Sequence, residues 1–398
     1  MKISIVCSIV GLVCFSSVDA LCQTEPPNFC RVTLNRADAL DFPSKHAWNL
    51  FQTLVHPSKD LSFGRGIPDC TKRIGAPGTT SVWEMWRLAR TEVFLADGAM
   101  PPDWNDTTLP HAYLGAVPDP DSPHDPARIQ EASARLDPAP DQGVFKDHGG
   151  IGETHMNRAT YEFIKANCLH SFDGLSRYSK AVLEGKKPPL SFPSDSIEVK
   201  AVWLEFSPDD LKANKQLRYY VGRDPTTGKQ YGLMALHILT KDLPNWFWAT
   251  FHHVDEPKNE FEGVDTYGRP KELDGTIWAN YVLGGTQIDF IKPTGDQTIL
   301  SDYYVEFQFQ KSSCMTCHAN AHGHPDPERT PNGKLARDAR GRIVAAGEGP
   351  LQTIDLGIPA PDAFKRDAKP FFVQTDFLWS IPFRAREEQT APPDYCLR

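Results

Sequence analysis

Two cysteines and three histidines crowd the stretch KSSCMTCHANAHGHP, Lys311 to Pro325. Donors of that kind at that spacing can do three things. The thiols of Cys314 and Cys317 can each add to a vinyl group of a porphyrin, with the next residue, His318, turning its imidazole to the iron. Cys314, Cys317, His318, His322 and His324 could instead hold zinc, or the two cysteines could cycle as a redox disulfide. Zinc modules usually separate their two ligand pairs by a dozen or more residues, so donors packed from Cys314 to His324 are cramped. A redox C-x-x-C asks for a βαβ surrounding that the flanking sequence does not offer. The spacing therefore favours covalent haem.

Cys314-Met315-Thr316-Cys317-His318 resembles the haem-binding motif of c-type cytochromes, in a single copy. More loosely, WFWATFHHVD followed by that motif is similar to uncharacterised bacterial proteins of the cytochrome c family. The resemblance implies one covalent haem c per chain, with Cys314 and Cys317 as the thioether residues and His318 as the proximal iron ligand. The plan departs from that of the common small cytochromes c, where the motif lies near the N-terminus and a distal methionine follows. Here no methionine follows Met315. His322 and His324 are too near to reach the opposite face of a porphyrin, since four to six residues span at most about 13 to 22 Å. A distal group is expected upstream, with Met156, His237 and His253 as candidates and an open site as the alternative.

The elements that must position these residues divide unevenly along 398 residues. Residues 1–20 read as a signal peptide: Lys2, an apolar run from Ile3 to Phe15, and small residues at Val18 and Ala20 before the cut. That places the mature protein in the periplasm or outside the cell, with no membrane span. Cys22, Cys30, Cys70, Cys168 and Cys396 remain available for disulfides, Cys22 and Cys30 being close enough to close a small loop. Residues 21–100 read as helical, in HAWNLFQTLV and SVWEMWRLARTEVFL. Residues 101–150 are a Pro/Asp-rich loop or linker; Asp119, Asp121 and Asp125 lack the glycine of a calcium loop, His124 standing in its place.

Residues 151–398 form the body. A helix is expected in THMNRATYEFIKANCL with Thr154 as cap, and another from Gly174 to Gly185. Short strands rich in aromatic and β-branched residues follow: SIEVKAVWLEF, LRYYVG, YGLMALHILT, NWFWATFHHV, TIWANYVL, TQIDFI and YYVEFQFQ. The expected class is α+β, helical first, then a mostly antiparallel β-rich body carrying the motif at 314–318.

A net charge of −9 argues against nucleic acid as a partner. Electron transfer to a redox partner, which the acidic surface would match if basic, is the first functional expectation. A haem-dependent, peroxidase-like oxidoreductase with an open distal site is the alternative, in which the upstream histidines or Arg158 would handle protons. An exported protein with a zinc or disulfide staple is the third. No Ser-His-Asp signature, phosphate loop or dinucleotide fingerprint supports another enzyme class.

Overall fold

The computed structural model describes residue 30, residues 33–109, 111, 115–116, 150–223, 228–306, 310–337, 344–345 and 354–397. The expected signal peptide, Cys22 and most of the Pro/Asp-rich segment, including Asp119, Asp121 and Asp125, lie outside the described residues.

One antiparallel sheet organises the chain. Its strands are β1 (Arg87–Leu88), β2 (Gly115–Ala116), β3 (Gly150–Met156), β4 (Ile197–Glu205), β5 (Val221–Arg223), β6 (Gln230–Thr240), β7 (Phe247–His253) and β8 (Tyr281–Gln287). The order across the sheet is β1-β3-β4-β6-β7-β8, and β5 continues the β7 edge of β6, carrying β2 outside it. The α+β class is therefore as the sequence suggested.

YGLMALHILT reads as an almost unbroken apolar run because β6 is central and buried along nearly its whole length. Cross-strand partners share a face, so the register defines rows. Met156, Glu198, Leu239, Trp248 and Gln287 form one row; Thr154, Lys200, His237, Thr250 and Gly285 form the next on the same face. In β8 an extra residue, Gly284, bulges beside Thr250 and Phe251. A Cβ on Gly284 would stand 2.9 Å from the His252 ring, so the close approach requires glycine.

The opposite face packs against the helix Pro43–Leu54, whose proline occupies the first turn without loss of a hydrogen bond. Trp48 and Phe51 meet the Phe251 ring at 4.9 and 4.4 Å, and Phe51 also packs on Trp278. SVWEMWRLARTEVFL does not form the expected helix. It breaks into a 3-10 turn (Trp83–Met85), β1, and one π-turn (Ala89–Val93). Buried ions explain why. Glu92 binds Arg87 and Arg65 at 3.0 and 3.5 Å and His111 at 2.6 Å, and all four are buried. Burial pushes the Glu92 carboxyl upward, but His111, Arg65 and Arg87 outweigh it and hold it at about 2. Tertiary pairing has overridden the helical period.

The helix Arg158–Ala166 starts later than expected, capped by Asn157, because Thr154 belongs to β3. The next helix, Phe172–Leu183, is capped by Ser171. Residues 303–306 of YYVEFQFQ form turns rather than a strand. Cys30 pairs with Cys70 rather than Cys22, and Cys168 pairs with Cys396. Among the described residues, no helix is long and apolar enough to cross a membrane.

Candidate functional site

The motif occupies a short helix, Cys314–Ala319, laid on the Trp248 row of the sheet. Six residues cannot hold a helix alone, so its neighbours hold it. Ser313 caps it, its Oγ accepting from Thr316 N at 3.1 Å. Gln287, at the end of β8, donates to Ser313 Oγ at 2.8 Å and accepts from Met315 N at 3.2 Å. Cys314 N donates to Leu300 O at 3.0 Å, and Thr316 Oγ1 to Gly357 O at 2.8 Å. Met315 and Thr316 are fully buried.

A C-terminal strap closes over the other side. Val373–Gln374 pairs antiparallel with His322–Gly323, Gln374 donates to Ala319 O at 2.7 Å, and Trp379 Nε1 donates to Cys317 O at 2.9 Å. The strap turns at Asp376 and Phe377, both in the left-handed region (φ 48° and 73°). Aspartate tolerates that region but a bulky phenylalanine does not, and the turn is held from outside: Asp376 accepts from Lys241 Nζ and from Phe192 N, each at 2.7 Å.

This turn aims the Phe377 carbonyl at His318, whose Nδ1 donates to it at 2.7 Å. The proton is thereby fixed on Nδ1 and the Nε2 lone pair is left for a metal. The ring packs edge-on against Trp248 at 4.7 Å. Burial pushes the His318 pKa down to about 4, partly offset by the Phe377 hydrogen bond, so the imidazole is neutral at neutral pH.

Cys314 and Cys317 are half-buried and belong to no disulfide, whereas the other four described cysteines are paired. Burial, then Glu306, Cys317 and Asp302, raises the Cys314 thiol above its ordinary value.

The upstream candidates separate by face. His237 lies in the second row, on the motif's side of the sheet, nearly buried. Its Nδ1 is 3.2 Å from Thr250 Oγ1 while its Nε2 has no hydrogen-bond partner. Asp302 Oδ2, also without one, is 4.0 Å away. Burial pushes the His237 pKa down to about 4 against the pull of Asp302.

Met156 shares the Trp248 row but on β3, three strand spacings or about 14 Å from β7. His253 faces the opposite side of the sheet. It stacks on Tyr219 at 3.6 Å and both ring nitrogens are engaged, Nε2 with Arg218 O and Nδ1 with Asp255 N. Arg158 is exposed and paired with Glu162 at the start of its helix.

His322 and His324 do not edge into solvent. They are buried in a nest of rings with Phe371, Phe372 and Trp379. Among the described residues, three or more Cys, His or carboxylate donors converge only at Cys30, His56 and Cys70, where two of the donors are already joined as a disulfide. Sequence reasoning missed the Phe377 carbonyl, because a backbone acceptor far along the chain leaves no residue-type signal.

No protein-family model matches the chain, and neither curated proteins nor solved structures provide a match.

Proposed function

We propose that this chain is an exported single-haem c-type cytochrome acting in electron transfer. Cys314 and Cys317 would hold the haem through thioethers, His318 would be the proximal ligand, and His237 the group on the distal side. The single observation that carries this reading is the hydrogen bond from His318 Nδ1 to the Phe377 carbonyl, the kind of contact that fixes the tautomer and ring orientation of a metal-ligating histidine. Haem, when bound, supplies reversible one-electron chemistry.

The residues divide the remaining work. Phe377 orients the imidazole, and Trp248 and the strap keep water from it. The unpartnered Nε2 of His237 supports its assignment over Met156 and His253. The lack of convergence among the motif's donors speaks against a zinc staple. The acidic chain suits a basic redox partner docked weakly and salt-sensitively.

The juxtaposition of His237 with Asp302 favours one second reading, a haem-dependent oxidoreductase in which this pair moves protons at an open site.

Expression in a host competent for haem attachment, followed by intact-mass measurement, tests the proposal. One haem's added mass, lost in Cys314→Ala/Cys317→Ala, is expected; the bare polypeptide mass overturns it. A low-spin ferric spectrum supports electron transfer, a high-spin one the oxidoreductase.

A further inference from the structure

A second site lies at the far end of the helix Phe172–Leu183, independent of the haem reading. There a cavity of about 460 Å³, within the range of small-molecule sites, is lined by His170, Glu388, Met100, Ala391, Pro392 and Pro393 among others. Its walls are tied down. Cys168–Cys396 crosses beside it, Phe172 N donates to Arg386 O at 2.9 Å, and Gln389 N to Asp97 O at 3.0 Å.

His170 is the feature that asks for a ligand. It is fully buried, and neither ring nitrogen has a hydrogen-bond partner. A buried imidazole left in that state is costly, and a ligand that bonds to it recovers the cost. Burial lowers the His170 pKa to about 4 despite the pull of Glu388, so a neutral ring offers one donor and one acceptor.

The charges select the ligand. Glu388 is ionised, its oxygens held by Ser171 Oγ at 2.6 Å and by Arg177 at 2.6 and 3.0 Å. An anion would meet that carboxylate, and a cation would find it already matched by Arg177. Apart from Gly98 and Thr390, the remaining wall is a thioether, two alanines and two prolines, surfaces that suit a flat ring.

We propose that this cavity binds a small neutral hydroxyaromatic molecule, its hydroxyl bonded to His170 and its ring against Met100, Ala391 and the Pro392–Pro393 corner.

The test titrates the full mature protein with phenol, read by calorimetry and by the side-chain nitrogen resonances of His170. Saturable one-site binding that moves those resonances is expected, with benzoate and benzylammonium at least about tenfold weaker. His170→Phe and Ala391→Leu should each weaken phenol about tenfold or more, and Ala391→Leu decides the matter if the first variant does not fold. Non-saturating binding, unmoved His170 resonances, equal affinity for the charged analogues, or unchanged affinity in the folded variants would each overturn the proposal.

Discussion

The carbonyl oxygen of Phe377 accepts a hydrogen bond from His318 Nδ1 across 2.7 Å, joining residues 59 apart in sequence. The strap, rather than the motif's own helix, thus decides which imidazole nitrogen carries the proton. Asp376 is the residue that holds the strap in place, through Lys241 and Phe192. Asp376→Ala leaves the buried Lys241 ammonium with the Pro244 carbonyl but no carboxylate, and we expect a loss of about 3 kcal/mol in urea unfolding. The His318 nitrogen resonances should shift in the same variant. A stability within 0.5 kcal/mol of wild type (about the size of a neutral surface change) would contradict the anchoring role.

His237, Met156 and His253 make a discriminating set. In haem-loaded protein, His237→Ala is expected to convert a low-spin ferric spectrum to high-spin. Met156→Leu and His253→Gln should leave the spectrum unchanged, the first for its distance along the row and the second for its face. A spectral change in either of those two, with His237→Ala silent, would reassign the distal side.

Glu198 gives the protein a pH signature. It is buried, bonded to Ser380 at 2.6 Å, and burial raises its carboxyl to about 7, with Ser380 and Arg384 pulling it back. The folded state therefore binds a proton more tightly than the unfolded one. The stabilisation is complete below about 4.5 and is lost as pH rises through about 7. Its full size is roughly 3 kcal/mol. Buried neutral histidines such as His237 and His318 push the other way below about 6.5, so the comparison carries the test: the urea midpoint of wild type should fall relative to that of Glu198→Gln between pH 5 and 8, and parallel curves would refute the assignment.

Cys396→Ser opens the Cys168–Cys396 disulfide, which closes a loop of 228 residues. A loss of about 2–5 kcal/mol is expected from thermal or urea unfolding. An unchanged midpoint under non-reducing conditions would show that the bond contributes nothing to the fold.

The sequence shows the motif's spacing better than the structure that supports it. C-x-x-C-H is a local spacing and was readable at once, as were β4, β6 and β7, whose aromatic and β-branched runs lie in buried central strands. Strand parity places His253 on the face away from Trp248 and His252, but relating it to His237 takes the β6–β7 register. What could not be read is long-range. Glu92 recruits Arg65, Arg87 and His111 from separate segments and dissolves a helix that the 3.6-residue period suggests. The Phe377 turn depends on Lys241, which sits 135 residues upstream of Asp376. The Cys30–Cys70 pairing likewise has no local signature, since any of several partners fits the spacing.

The bond between Cys168 and Cys396 turns most of the body into a covalent ring. Sheet strands β4 to β8, the motif helix and the strap that clamps it all lie on that ring. A single peptide-bond cut anywhere within it, in an exposed loop such as the one around Val264, frees no fragment. The nicked molecule keeps its mass, apart from one added water, until a reductant parts the two sulfurs.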